Sequence, residues 1–318
     1  LSHNIEIVNG KPQIAYVGEV PWHGLGTRVA PNLTPGQFIV EAGVDWEVDL
    51  VPAYADINGK QRSINRSALV RSSDDRILDI VTNDWHPMQN LDAFKFFDEY
   101  VKRGDLEMHT AGSLDNGRVV WALAKMKESF ELFTGDKIDQ YMLFSNPHKY
   151  GYAAEARSVF TRVVCENTVA VALRENTLNS VKISHRAEFD QDRVKMELGL
   201  ARQKADDYKE IAKFLGESKA EKQDIVEYFK TLFPVLSAKK EGEGRKTISK
   251  NASLALEVLE TQPGTQFAPG SWWQAVNAVT FMTNHMLGKS QDRRLASTWY
   301  GSNKNLNSKA IKLALEYA

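Results

Sequence analysis

The 318-residue chain has a single cysteine, Cys165. No intramolecular disulfide can form, and zinc modules built on several thiolates are excluded. Its seven histidines, at positions 3, 23, 86, 109, 148, 185 and 285, form no His-x-x-x-His pair and no His-Glu-x-x-His, so neither spacing of a helical metal site is present. No run approaches the ~18 consecutive apolar residues of a membrane span. The opening residues, Leu1-Ser-His-Asn-Ile-Glu-Ile7, lack the basic and apolar regions of a signal peptide. An excess of one charge is missing too: 40 Lys and Arg stand against 41 Asp and Glu. A strongly basic polymer binder is therefore excluded, while a local basic surface is not. Together these absences lead to the expectation of a cytoplasmic protein with no membrane partner.

Signatures of common chemistries are also missing. No Gly-x-Gly-x-x-Gly follows a strand pattern, and there is no Gly-x-Ser-x-Gly elbow. Gly288-Lys289-Ser290 ends like a phosphate loop, but Thr283 stands where the first glycine belongs, and the preceding residues read as helix rather than strand. Cys165 reads as a buried small side chain, not a nucleophile. No cofactor is expected.

What is present is an ordinary globular composition, 42% hydrophobic and 25% charged. Charge is uneven along the chain: residues 1–110 are net −6, residues 111–185 net +1 and residues 186–318 net +4. Three regions follow from the pattern: an extended arm over 1–33, rich in glycine and proline; an α+β domain over 34–186; and a helical region over 187–318.

Thr34 caps and Pro35 opens a short helix that Gly43 closes. Trp46, Val48 and Leu50 alternate with Asp45, Glu47 and Asp49, a half-buried strand, and Asn58-Gly59 marks a hairpin. Strands are expected over 67–71 and 77–82, then a helix over 90–103 with Leu91, Phe94, Phe97 and Val101 on its inner stripe. Further strands are expected over 106–110, 118–125, 130–133, 137–144, 158–164 and 181–184, with helix over 165–174. Beyond residue 185, Val194, Leu198, Ala201, Ala205, Tyr208, Ala212 and Leu215 recur at spacings of four and three. That seam predicts one long helix over 189–215. Val194, Leu198, Tyr208 and Leu215 are its candidate contacts with a second subunit. Helices are also expected over 219–232, 247–261, 271–287 and 305–317. The fold class is α+β: antiparallel strands and hairpins with helices, then a mostly helical half.

Two groups of residues carry candidate chemistry. Asp45, Glu47 and Asp49 share one face of a strand, an arrangement that could hold Mg²⁺ for phosphodiester cleavage or simply be the wet face of that strand. The second group combines bases with flat side chains, the two requirements of a single-strand groove. It comprises Arg118, Lys149, Tyr152, Arg157, Arg162, Lys182, Arg186, Arg293 and Arg294. Lys149 lies beside Tyr150 and Tyr152, and Arg157 and Arg162 flank Phe160.

Several ordered blocks resemble a known family. They are Pro21-Trp-His-Gly-Leu-Gly26, Ala42-Gly43-Val-Asp-Trp46, Thr110-Ala-Gly-Ser-Leu114 with Gly117-Arg118, and Arg162-Val-Val-Cys165-x-Asn167-Thr168. Ser184-His185, Asn277-Ala-Val-Thr280 with His285, and Arg294, Ser297 and Gly301 complete the set. The set is similar to the phage and plasmid-like protein family built on a conserved domain of unknown function, over most of the chain. The resemblance brings no catalytic residues with it. It implies a mobile-element setting. There, single-strand annealing proteins of the RecT and Redβ kind join a small sheet to a long helix and assemble into rings or filaments.

The expectation is therefore a single-stranded DNA-binding and annealing protein, a homo-oligomer of a phage or other mobile element, acting in recombination or replication without enzymatic chemistry. The Mg²⁺-dependent nuclease and a non-DNA-binding assembly protein are the alternatives.

Overall fold

The computed structural model describes residues 5–19, 24–162, 167–169, 181–185, 201–235, 248–288, 294, 297–298 and 301–318. They divide into two compact units, one drawn from residues 1–128, 141–158 and 178–201, the other from 129–140, 159–177 and 202–318.

The first unit opens on four short strands: β1 (Ile7–Val8), β2 (Lys11–Pro12), β3 (Ile14–Tyr16) and β4 (Thr27–Arg28). Helix α1 (Pro35–Glu41) follows. Its Thr34 hydroxyl accepts from the Gln37 amide at 3.2 Å, and the Gln37 side chain accepts from the Thr34 amide at 3.0 Å. This reciprocal box satisfies two orphan donors at the helix start. A three-stranded antiparallel sheet comes next, β5 (Val48–Ile57), β6 (Lys60–Arg71) and β7 (Ile77–Val81), in that order. Asn58 and Gly59 take φ of 54° and 73°, the left-handed pair that a two-residue hairpin turn requires. Helix α2 (Asn90–Arg103) ends at left-handed Gly104; it buries Phe96 and Phe97 against Phe144, and Phe94 against Phe97. Burial of each such ring contributes about 1.5–3 kcal/mol.

The larger sheet adds β8 (Leu106–Leu114), β9 (Val119–Glu131), β10 (Lys137–Pro147), β11 (Ala154–Arg162), β12 (Asn167–Val169) and β13 (Val181–Ile183). Its order is β12-β11-β10-β9-β8-β3-β4, with β13 also on β11. Strands β9, β10 and β11 have residues in both units.

Charge is buried inside the first unit. Arg71, only 1% exposed, donates to Glu6 at 2.6 Å and forks onto both Asp74 oxygens at 2.7 and 2.6 Å. Arg76 and the Ser113 hydroxyl complete the shell around Glu6, at 3.1 and 2.8 Å. Gly117, at φ +89°, sits where a Cβ would stand 2.7 Å from an Arg71 nitrogen, so no side chain fits there without displacing the guanidinium. The pKa of Asp74 is lowered because Arg71 donates to it.

Besides its share of the large sheet, the second unit holds the helices α3 (Ala201–Glu217), α4 (Lys222–Leu232), α5 (Lys250–Thr261), α6 (Trp272–Phe281) and α7 (Ser302–Tyr317). Its core packs aromatics among small residues, and Ala205, Ala212, Ala252, Ala255, Ala275, Ala278, Ala310 and Ala314 are all buried. Tyr208 stacks on Phe160 at 4.5 Å and meets Trp273 edge-on at 5.8 Å. The buried Tyr228 hydroxyl donates to the Ala310 carbonyl at 3.0 Å. No helix among the described residues is long and apolar enough to cross a membrane.

Several local expectations differ from the structure. The 1–33 region holds buried β3 within the large sheet. Its Ile14-Ala15-Tyr16 run has no alternation because all three residues are buried. Residues 118–125 and 130–133 do not make separate strands: β9 runs unbroken from Val119 to Glu131. Asn167–Val169, expected helical, pairs antiparallel with β11, its β-branched Thr168 and Val169 suiting a strand. The rest of 165–174, Cys165 included, lies outside the described residues. Leu91 is exposed, and α2 turns Ala93 and Phe96 inward instead. The 271–287 helix is α-helical only to Phe281; residues 282–286 widen into a π-helical turn. The turn's Thr283 hydroxyl bonds both the Thr280 carbonyl and the Asn307 side chain. Of the long seam helix, the described part begins at Ala201 and runs to Glu217, past the expected end; residues 186–200 lie outside the described residues.

Candidate functional site

The turn between β10 and β11, His148-Lys-Tyr-Gly-Tyr152, gathers aromatic and basic side chains at the surface of the first unit. Gly151 takes φ +81°, which lets five residues reverse the chain. The Tyr152 amide closes the turn on the Lys149 carbonyl at 3.3 Å, and the His148 amide ties its root to the Arg118 carbonyl at 2.8 Å. Two carboxylates hold it from outside. Asp79 on β7 accepts from the Tyr150 amide at 3.0 Å and from Arg118 at 3.1 Å. Asp115 lies 3.6 Å from Lys149 and 3.9 Å from Arg118.

So fixed, Tyr150 and Tyr152 keep 47% and 49% of their surface in solvent. Each ring has a cation over its face. The Arg66 guanidinium is 5.9 Å from the Tyr150 centroid, and the Lys149 ammonium 5.1 Å from that of Tyr152. Such pairs orient a ring at a modest gain of about 0.5–1 kcal/mol at exposed sites. Behind Tyr150 the rings continue inward: Trp85 at 6.3 Å, then His185 stacked on Trp85 at 4.5 Å and 13°.

A buried polar layer underlies the turn. The Asn90 side chain donates to the Val44 and Trp46 carbonyls, and its oxygen receives Asn146 at 3.1 Å and the His148 Nε2–H at 2.9 Å. That bond puts the His148 proton on Nε2 and leaves Nδ1 as a buried acceptor with no partner. Burial, with His185 nearby, pulls the His148 pKa down to about 3. Burial pulls His185 to about 4, opposed by backbone groups of His86 and Pro147. No ring nitrogen of His185 reaches hydrogen-bonding geometry, and the Trp85 indole N–H and Thr82 hydroxyl are likewise buried and unbonded.

The sequence-derived candidates scatter. Arg118, Lys149 and Tyr152 meet at this turn. Lys182 is exposed on β13, in register with Glu155. Arg157 and Arg294, expected to meet phosphates, are buried: Arg157 pairs with Glu155 at 3.1 Å, and the Arg294 Nε donates to the Leu287 carbonyl at 3.3 Å. A guanidinium enclosed in this way presents no surface to a phosphate. Arg162 ends β11, and its side chain lies outside the described residues, as do Arg186, Arg293, Val194 and Leu198. Tyr208 and Leu215, expected to face a second subunit, are buried in the core of their own unit, because the small seam residues let other helices close over them. Phe160, Trp272 and Trp273 belong to the same core.

Asp45, Glu47 and Asp49 are exposed and alternate with buried Trp46 and Val48, and no group of three or more potential metal ligands gathers among the described residues.

Arg66 and Trp85 carry no local signal of a site; the fold brings them to the turn from far along the chain. Tyr150 does carry one, since a Lys-Tyr-Gly-Tyr stretch between two strands is a turn that displays its aromatics.

Among curated proteins and among solved structures, none matches the chain significantly. A family model does, over residues 77–299, a span that contains Trp85, Arg118 and the whole 148–152 turn. The chain belongs to that family, described as a domain of unknown function (DUF932).

Proposed function

We propose that the protein binds single-stranded DNA and anneals it, without a cofactor, in the recombination or replication of a phage or other mobile element, as a cytoplasmic homo-oligomer. One observation carries this reading: two half-exposed tyrosines on a braced turn, each with a cation over its ring. Bases of a single strand stack on such rings whatever their identity, and neighbouring cations follow the backbone. Arg66 and Lys182 are exposed enough to meet phosphates, and Lys149, its side chain 31% exposed, reaches them from beside Asp115. Arg118 is engaged by Asp79 and Asp115 and serves to brace the turn. Base pairing supplies the free energy of annealing, so the protein's task is to extend the strand and screen it.

The test is fluorescence anisotropy of a labelled single-stranded oligonucleotide across a salt series. Three phosphate contacts give a log–log slope of about −2. Replacing Tyr150 and Tyr152 together by Ala weakens binding by about 1–3 kcal/mol per lost stack and leaves that slope unchanged. No binding at low salt, or a double variant that binds like the wild type, rejects the proposal.

A further inference from the structure

The β5–β6–β7 sheet has one face covered at its root and the other bare along its length; toward the tip both faces are exposed, Tyr54 included. Its inner face carries Val48, Leu69 and Val81, each at most 1% exposed. Strand alternation puts Asp49, Val51, Ala53, Ala55 and Ile57 of β5 on the opposite face. The register sets Val51 beside Ala68 and Ala68 beside Ile80, and Asp49 beside Val70 and Val70 beside Ile77. Val51, Ile57, Ile77 and Ile80 are 44%, 55%, 62% and 41% exposed. An exposed apolar patch on one face marks a site of association.

Charge is ordered along the same face. Glu47 and Asp49 lie at its root. At the tip Ile57 pairs with Lys60 and Ala55 with Arg62, so both bases share the face of Val51. None of Glu47, Asp49, Lys60 and Arg62 has an ion-pair partner among the described residues. The face thus reads acid, apolar, base from root to tip. Turned through a two-fold axis it is its own complement, with the acids of one copy over the bases of the other and the apolar middles in contact. Isologous pairing of this kind is the commonest route to a homodimer. Edge pairing along β5 is disfavoured, because Pro52 has no N–H to give.

We propose that this outer face docks a second copy of the same chain about a two-fold axis, with Asp49 of each copy facing Arg62 of the other. The proposal stands independently of DNA binding.

The experiment is size exclusion with light scattering on the full chain at micromolar concentration, without nucleic acid. The wild type is expected to elute with dimer mass. Val51→Asp with Ile80→Asp, both at exposed positions, is expected to raise the dimer dissociation constant at least tenfold while the circular dichroism spectrum stays unchanged. Asp49→Lys alone and Arg62→Glu alone are each expected to weaken the dimer. Their equimolar mixture is expected to restore it, because only the mixed dimer pairs opposite charges at both contacts. A monomeric wild type, or a dimer indifferent to the apolar pair of substitutions, overturns the proposal. A mixture no tighter than its components overturns the two-fold register.

Discussion

The two units solve the problem of buried polarity differently. In the second, buried Asn, Thr and Tyr side chains make neutral bonds to backbone or to one another: Asn277 to the Trp273 carbonyl, Asn303 to the Thr283 carbonyl, Thr283 to Asn307, and Tyr228 to the Ala310 carbonyl. In the first, an ion-paired arginine and a histidine are buried through bonds to residues far along the sequence. Arg71 meets Glu6 across 65 residues, and His148 meets Asn90 across 58. The first unit also displays the exposed tyrosines and the bare sheet face. The candidate turn lies over the polar layer of the first unit, rooted by His148 on Asn90.

The strongest way to break the comparison is to remove one end of a long-range contact. Glu6→Ala leaves the buried Arg71 with Asp74 alone and strands the Ser113 hydroxyl. The expected loss is about 3–5 kcal/mol by urea denaturation, since the surviving charge stays buried. Its counterpart in the second unit, Asn307→Ala, removes one neutral bond to Thr283 and is expected to cost about 1–3 kcal/mol. Equal losses would mean that the two units do not differ in this respect.

The second effect is acid sensitivity. His148 and His185 have native pKa values of about 3 and about 4, below the unfolded value near 6.5. The unfolded chain therefore binds more protons across this window. Stability is complete above about pH 6.5 and falls as pH drops toward the native values. For His185 alone the loss is about 3 kcal/mol. His185→Phe keeps the stack on Trp85 and is expected to cut the dependence of stability on pH between 6.5 and 4 by about half, His148 supplying the rest. An unchanged dependence would show that His185 does not titrate in this way.

Smaller effects sharpen the contrast. Thr34→Ala deletes the capping box of α1 and is expected to cost about 1 kcal/mol in thermal or chemical unfolding. Tyr150→Ala and Tyr152→Ala are expected to shift stability by less than about 0.5 kcal/mol, as exposed side chains should. A larger change would make the tyrosines structural and weaken their claim to a ligand.

Features set by neighbours in sequence were readable from it: the Thr34 box, the Asn58-Gly59 hairpin, and α2 with its Gly104 stop. Features set by distant partners were not. Strand β3 is a three-residue run among turn formers, and only the sheet around it makes it a strand. Gly117 was quotable as part of a block, but its reason, the Arg71 guanidinium against its Cα, depends on a strand over 40 residues away. The same holds for the site. Lys149, Tyr152 and Arg118 were selected as bases and aromatics on strand ends. Arg157 looked identical in that respect, and only its burial separates it from them. Arg66 and Trp85 come to the turn through β6 and the segment after β7, which no local pattern reveals.

Ultraviolet crosslinking of a thymidine-rich single strand, with the modified residue read by mass spectrometry, asks whether the 148–152 turn holds single-stranded DNA. Adducts are expected on Tyr150 or Tyr152, lost when both are replaced by Ala. Adducts confined to other segments, with these two tyrosines unmodified, would contradict the proposed function.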